Sequence, residues 1–151
     1  PLYSSAASDV YKRQMQSLYS GDASVSIHFS DESTNALIEA DKVQINRLFM
    51  NLIQNSVEAG KDLNGTVTIE IKLVNKNDYV VVTIKDYSGG IPPAMHGNMF
   101  RPNFTTKSAG TGLGLAICKG IVEHANGSIQ YESIDGIGTI FEIKLPLAVS
   151  N

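Results

Sequence analysis

Residues 110–115 (GTGLGL) could hold a phosphate group. Three glycines alternate with other residues, and an apolar helical pattern begins directly after them; the residues are Gly110, Thr111, Gly112, Leu113, Gly114 and Leu115. Glycine allows a ligand to approach the main chain closely. A helix N-terminus adds unpaired N–H groups and a partial positive charge. The lysine and hydroxyl residue of a P-loop do not follow, so the loop alone is weak support for a phosphate site.

Two amides and a carboxylate share one face of a predicted helix. Asn51, Asn55 and Glu58 are spaced at i, i+4 and i+7, beside an apolar stripe. Such a row of polar side chains could line a ligand-binding site. Taken alone, it is more typical of a solvated helix face.

Asp86 ends a predicted strand and is followed by a glycine-rich turn. Binding residues often lie at such positions, although a lone aspartate there could simply cap the strand. Residues 100–107 (FRPNFTTK) then combine apolar anchors, two hydroxyls and a lysine. That loop could close over a phosphate.

The elements that must position these residues alternate between strands and helices. Alternating patterns predict strands at residues 25–29, 36–40, 67–73, 80–86, 128–133 and 139–145. The first two are expected to pair across the turn between them. Residues 67–73 and 80–86 are expected to form an antiparallel hairpin, and the last two strands are expected to be joined by a glycine-containing turn. Asp41 is a good N-cap for a helix that runs to about Ala59, with Gly60 as its C′ residue. A second helix follows the glycine loop and ends at Asn126 and Gly127. This order predicts a two-layer α/β sandwich with a mixed, mostly antiparallel sheet.

Composition is that of one globular domain. The chain has 151 residues, 42% of them hydrophobic, and a net charge of −3 without a basic run. This argues against nucleic acid and anionic membrane as partners. No apolar run is long enough to span a bilayer. The single cysteine, Cys118, excludes an internal disulfide and is expected to be a buried structural thiol.

The first residues resemble a translated adapter from sequencing-library preparation. We therefore exclude residues 1–14 from the fold prediction. Residues 15–24 are interpreted as a linker remnant, and residues 25–151 as the domain. On this interpretation the reading frame is truncated and the natural protein continues upstream.

Four motifs together resemble the ATP-binding catalytic domain of sensor histidine kinases. Residues 51–59 (NLIQNSVEA) resemble the N box, residues 86–92 (DYSGGIP) the G1 box, residues 100–107 the F box and residues 110–115 the G2 box. They occur in the family's order, and Gly138 and Thr139 follow in the closing strand. The similarity covers roughly residues 25–146 and is greatest to the nitrogen-regulation type. It implies a Bergerat-type fold that binds ATP and Mg²⁺.

The resemblance also implies a role for each matching residue. Asn55 would ligate Mg²⁺, and Asn51 would lie near the phosphates and a metal-bound water. Asp86 would accept a hydrogen bond from the adenine amine, Gly90 would let the purine approach the backbone, and Thr139 would help hold a water at the adenine edge.

The phosphate end is expected in the two loops. The G2 glycines would surround the phosphates, while Thr105, Thr106 and Lys107 would form a short lid. Asn51 and Lys107 are the expected catalytic residues, with Lys107 facing the γ-phosphate. The full ATP-binding set is Asn51, Asn55, Asp86, Gly90, Ile91, Phe104, Thr105, Thr106, Lys107, Gly110, Thr111, Gly112, Leu113, Gly114, Leu115 and Thr139.

Two positions depart from the family pattern. Ser88 stands where the G1 box usually has glycine, so a positive φ there would cost about 1 kcal/mol. Glu58 stands where many relatives have lysine near the phosphates. The phosphoacceptor is also missing, because His28, His96 and His124 lack its setting. It is expected on an upstream dimerising helical hairpin.

Three functions remain open at this point. The first is the catalytic domain of a histidine kinase, with a response regulator as partner. The second is a degenerate nucleotide-binding interaction module, a hypothesis suggested by the departures from the family pattern at Ser88 and Glu58. The third is a serine kinase of the anti-sigma-factor type, which the sequence of residues 105–107 disfavours. On the first hypothesis the domain is cytoplasmic, touches no membrane, is monomeric by itself, and forms a homodimer only within a longer protein.

Overall fold

A five-stranded sheet covered on one face by two helices organises the residues that the computed structural model describes. Those residues are 2–3, 16–17, 19–33, 37–91, 93–101 and 114–148. The strands are β1 (Leu2–Tyr3), β2 (Val25–Asp31), β3 (Ile38–Glu39), β4 (Val67–Lys76), β5 (Tyr79–Asp86), β6 (Ser128–Ile134) and β7 (Gly138–Pro146). The helices are α1 (Lys42–Asn64), α2 (Gly114–His124) and a 3₁₀ helix (Pro93–Asn98).

The main sheet has the order β2-β4-β5-β7-β6. Its β4–β5, β5–β7 and β6–β7 pairs are antiparallel, and β2 runs parallel to β4. The prediction of a mixed, mostly antiparallel sheet in a two-layer sandwich is therefore confirmed. The two hairpins predicted from alternation, β4–β5 and β6–β7, also form.

The predicted pairing of the first two strands is wrong. β2 does not form a hairpin with β3, because α1 crosses over the sheet and delivers β4 parallel to β2. β3 is only two residues long and pairs with β1, while Ile38 also bridges to Leu147.

α1 begins as predicted and ends later. The Asp41 side chain accepts hydrogen bonds from the backbone N–H groups of Val43 and Gln44. Gly60 lies within the helix and does not end it. Its lack of a side chain permits close packing, since a Cβ there would lie 2.7 Å from a Val67 methyl carbon. The C-cap is Gly65, with φ +73° and an N–H that donates to the Lys61 carbonyl.

The core lies between the helices and the inner face of the sheet. The α1 stripe predicted from spacing is buried; its members are Ile45, Leu48, Phe49, Leu52 and Ile53. Cys118 and Val122 bring α2 onto the same core, and Ile69, Ile84 and Ile143 supply the sheet side. α2 ends at His124, slightly before the predicted end, and Asn126 takes the left-handed conformation with φ 61°.

Several described residues before β2 contact the rest of the domain. Leu2–Tyr3, in the segment excluded as an adapter, pairs with Ile38–Glu39. Tyr19, within the predicted linker remnant, packs against the core. The Asp22 carboxylate forms an ion pair with Lys61 of α1, and that hydrogen bond is the main reason why the pKa of Asp22 falls to about 2.

Candidate functional site

Asp86 lies at the end of β5, where the sheet and α1 meet. Its side chain is only 5% exposed. Oδ2 accepts a hydrogen bond from the Ser56 hydroxyl at 3.0 Å. Oδ1 accepts from the Ser88 hydroxyl at 2.5 Å, the Ser88 N–H at 3.2 Å and the Thr139 N–H at 3.3 Å. A buried carboxylate is stable in such a setting because polar donors replace water.

The turn after Asp86 is held against the β6–β7 turn. Gly89 and Gly90 have φ values of +85° and +73°. The Gly89 carbonyl accepts from the Gly136 N–H at 2.6 Å. A Cβ at Gly90 would lie 2.2 Å from the Ile134 carbonyl oxygen, so a side chain cannot fit. Contact with the neighbouring backbone therefore requires glycine here, whatever role Gly90 has toward a purine.

Ser88 does not carry the strain expected from the sequence. Among the described residues other than glycine, only Asn77 and Asn126 have positive φ. The left-handed conformations of the turn fall on Gly89 and Gly90. A serine therefore fits in place of the usual glycine, and its hydroxyl reaches Asp86.

Thr139 belongs to a small polar network beside Asp86. It is 5% exposed and pairs with Asp86 across the β5–β7 ladder. Its hydroxyl lies 3.0 Å from the Ser133 hydroxyl, which also accepts from the Ile91 N–H at 2.6 Å. The structure thus brings together three of the predicted site residues, Asp86, Ile91 and Thr139.

The predicted amide row lies on α1 beside the start of α2. Asn55 is half-buried, and a Cβ at Gly114 would lie 3.9 Å from its amide nitrogen. Asn51 is half-buried one turn earlier and lies near the Cys118 thiol of α2, which donates to the Leu48 carbonyl at 3.8 Å. Burial raises the pKa of Cys118 to about 12, so the thiol is neutral, as expected for a structural cysteine. The N-box helix therefore faces the helix that the glycine loop precedes.

Glu58, the third member of that row, has a different neighbourhood. It is exposed, and its charge contributes to the raised pKa of Tyr19, behind the larger effect of burial. This places Glu58 near the segment that leads into β2.

The two loops expected at the phosphate end fall largely outside the described residues. This applies to Phe104, Thr105, Thr106, Lys107, Gly110, Thr111, Gly112 and Leu113. The flanking residues are brought together: the Phe100 ring lies 5.7 Å from the Tyr131 ring, and the Lys119 ammonium of α2 lies 5.9 Å from the Phe100 ring centroid. Leu115 packs against the core at the start of α2.

Sequence reasoning missed two residues of the site. Ser56 is 4% exposed and follows Leu52 by four residues, so it is a polar residue on the apolar stripe. A serine that interrupts the apolar stripe was the sequence signal that could have identified Ser56 as a site residue. Ser133 is opposite Thr139 in the β6–β7 register, which the hairpin prediction could have revealed.

Comparison with known proteins places the chain in a family. Residues 40–149 match the family described as "Histidine kinase-, DNA gyrase B-, and HSP90-like ATPase". The chain belongs to this family. The expected fold and the resemblance to histidine kinase catalytic domains are confirmed by the same comparison and by the relatives described next.

Similar proteins include sensor kinases and their isolated domains. The sensor histidine kinase ZraS of Salmonella typhi is 38% identical over 124 residues, which are 82% of this chain and 26% of that protein. Sporulation kinase C of Bacillus subtilis is 34% identical over 116 residues, 77% of this chain and 26% of that protein. The nucleotide-free catalytic domain of histidine kinase ThkA is 27% identical with a TM-score of 0.81, covering 97% of this chain and 94% of that one.

Another ThkA structure holds the kinase in complex with response regulator protein TrrA, with a TM-score of 0.76 at 25% identity. That match covers 98% of this chain and 42% of the kinase chain. The chain spans about a quarter of the length of ZraS and of sporulation kinase C, and less of several other curated relatives. These relatives favour a histidine kinase domain over the two alternative functions.

Two properties of the described residues bear on partners. None of their helices is both long and apolar enough to cross a membrane. In the same part of the chain, no group of three His, Cys, Asp or Glu side chains could bind a metal.

Proposed function

We propose that the chain is the ATP-binding catalytic domain of a two-component sensor histidine kinase. It binds Mg-ATP and transfers the γ-phosphoryl group to a histidine on an upstream dimerisation domain. Asp86 carries this proposal: it is a buried carboxylate at a strand end, fixed by Ser56, Ser88 and Thr139. A buried, oriented acceptor is suited to an exocyclic amine, the group that distinguishes adenine from guanine.

The adenine end would be formed by the Asp86 network. Asp86 accepts from the amine, and Thr139 with Ser133 offers hydroxyls that can hold a water at the same edge. Ile91 supplies an apolar contact beside the turn. Gly90 keeps the turn close to the β6 backbone and so keeps the carboxylate at a fixed depth.

The phosphate end would lie where α1 faces α2. Asn51 and Asn55 lie on the α1 face toward the first turns of α2, and of the G2 glycines Gly114 begins that helix while the other two precede it in sequence. The N-terminal N–H groups of α2 favour phosphate oxygens. From the resemblance, Thr105, Thr106 and Lys107 would complete the enclosure, with Lys107 balancing the charge of the γ-phosphate.

The donors on α1 fit a magnesium ion that is shared with a nucleotide. Asn55 offers a neutral amide oxygen, and Mg²⁺ usually keeps several waters and binds substrate phosphates as well as one or two protein groups. When bound, the ion neutralises phosphate charge. Phosphoryl transfer then depends mainly on positioning and electrostatic stabilisation, for which Asn51 and Lys107 are the candidate residues.

The partners follow from this role. They are ATP, an upstream helical hairpin with the phosphoacceptor, and a response regulator. The domain acts in the cytoplasm without membrane or nucleic-acid contact, and dimerisation belongs to the longer protein.

Phosphotransfer to a supplied hairpin tests the proposal. The chain is mixed with the purified dimerisation hairpin of ZraS and ATP labelled at the γ-phosphate. We expect acid-labile label on the hairpin and none when its phosphoacceptor histidine is replaced. Lys107→Ala should lower the rate. Tight ATP binding without transfer to the hairpins of several relatives would instead favour the interaction-module hypothesis.

A further inference from the structure

The hydrogen bonds to Asp86 are distributed unevenly between its two oxygens. Among the described donors, Oδ1 accepts three hydrogen bonds, two from Ser88 and one from Thr139. Oδ2 accepts one, from Ser56. An ionised carboxylate has about four acceptor positions on its two oxygens. Oδ1 is therefore saturated, and Oδ2 keeps capacity for one further donor.

The two hydroxyl donors come from different elements. Ser56 is on the apolar stripe of α1 and is 4% exposed, so its hydroxyl would be costly to bury without a partner. Ser88 is in the turn after β5, with its backbone outside the left-handed region. Hydrogen bonds to a charged acceptor are shorter and stronger than those between neutral groups. The carboxylate is thus held from the helix and from the turn at once.

This double restraint has a consequence for base selection. Adenine presents an amine to the carboxylate, whereas guanine presents a carbonyl oxygen that a fixed carboxylate oxygen repels. A carboxylate that could rotate would be able to accept from the guanine ring N–H instead. Selectivity against guanine therefore depends on preventing rotation as well as on having the acceptor.

We propose that Ser56 and Ser88 are positioning residues that fix Asp86 with one acceptor position of Oδ2 open for the purine, and that they thereby set the preference for adenine over guanine. The inference rests on the proposed function, since it concerns the same nucleotide site. Ser88 adds a side-chain restraint that a glycine at its position would lack.

Nucleotide titrations of the whole chain test this inference. ATP and GTP affinities are measured for the unmodified chain, Ser56→Ala, Ser88→Ala and Ser88→Thr, with Ser128→Ala as the exposed control. Loss of one hydrogen bond to Asp86 should reduce the ratio of ATP to GTP affinity by about five- to tenfold. Ser88→Thr keeps the hydroxyl and should restore the ratio, and Ser128→Ala should leave it unchanged.

The outcomes separate this inference from the proposed function. Circular dichroism first establishes that each variant is folded. A folded Ser88→Ala and Ser56→Ala with the unmodified ratio would overturn the positioning role while leaving ATP binding intact. An equal loss of both affinities would also overturn it, since that is the effect of a merely structural residue. Failure of the unmodified chain to bind ATP would overturn both proposals.

Discussion

Gly90→Ala should damage the candidate adenine site through two separable effects. The backbone at Gly90 has φ +73°, a conformation that costs a residue with a Cβ about 1–2 kcal/mol. The new Cβ would also lie 2.2 Å from the Ile134 carbonyl oxygen and 2.8 Å from the carbonyl carbon. These are backbone atoms of β6 and cannot move aside like a flexible side chain.

Gly136→Ala is the matched control. Gly136 has φ +83° in the facing turn, and a Cβ added there would meet no atom within 4 Å beyond its own chain neighbours. This variant should therefore carry the conformational cost alone. Overpacking typically adds about 1–3 kcal/mol, so Gly90→Ala should destabilise the chain by about that much more than Gly136→Ala.

Thermal denaturation and ATP titration measure the two effects. Each kcal/mol should lower Tm by about 2–4 °C for a chain of this size. Gly90→Ala should also weaken ATP binding, because the turn must move and Asp86 is anchored to it through Ser88. Equal Tm values for the two variants, with unchanged ATP affinity in Gly90→Ala, would refute the reasoning.

The remaining predictions concern the metal and the thiol. Asn55→Ala should abolish the gain in ATP affinity that Mg²⁺ provides, because the proposed protein ligand of the ion is removed. Titrations with and without Mg²⁺ check this, and an undiminished gain would contradict it. Burial raises the pKa of Cys118 from 9.0 to about 12, so the unfolded chain loses the thiol proton first. Stability should thus fall more steeply from pH 9 upward in the unmodified chain than in Cys118→Ala, and parallel denaturation profiles would rule this out.

Local sequence patterns predicted most of the fold, because most of its helices and strands each follow a single hydrophobic periodicity. The α1 stripe and the alternation in β4, β5, β6 and β7 gave the right elements. Two errors arose where tertiary packing overrode a local signal. Gly60 resembles a helix end but serves close packing against Val67. The turn after β2 resembles a hairpin turn, yet the crossover by α1 makes β4 the neighbour of β2.

The candidate site was predictable where a motif carried it. Asp86, Thr139, Asn51 and Asn55 were predicted from the order of the motifs along the chain, and their roles toward a nucleotide stay a prediction. Ser56 and Ser133 were missed, because their roles depend on which strand ends and helix faces meet. The sequence also could not show that Ser88 avoids backbone strain, because that depends on which residues of the turn adopt positive φ. In the structure these are Gly89 and Gly90.

Calorimetric titration with Mg-ATP is the most direct test of the central claim, which is that Asp86 makes this domain an ATP-binding site. The unmodified chain is compared with Asp86→Asn and with Asp78→Asn, an exposed aspartate in the β4–β5 turn. We predict binding by the unmodified chain and by Asp78→Asn, and a loss of about tenfold or more in Asp86→Asn because a charged hydrogen bond is removed. Absence of ATP binding in the unmodified chain, or undiminished binding by a folded Asp86→Asn, would contradict the account.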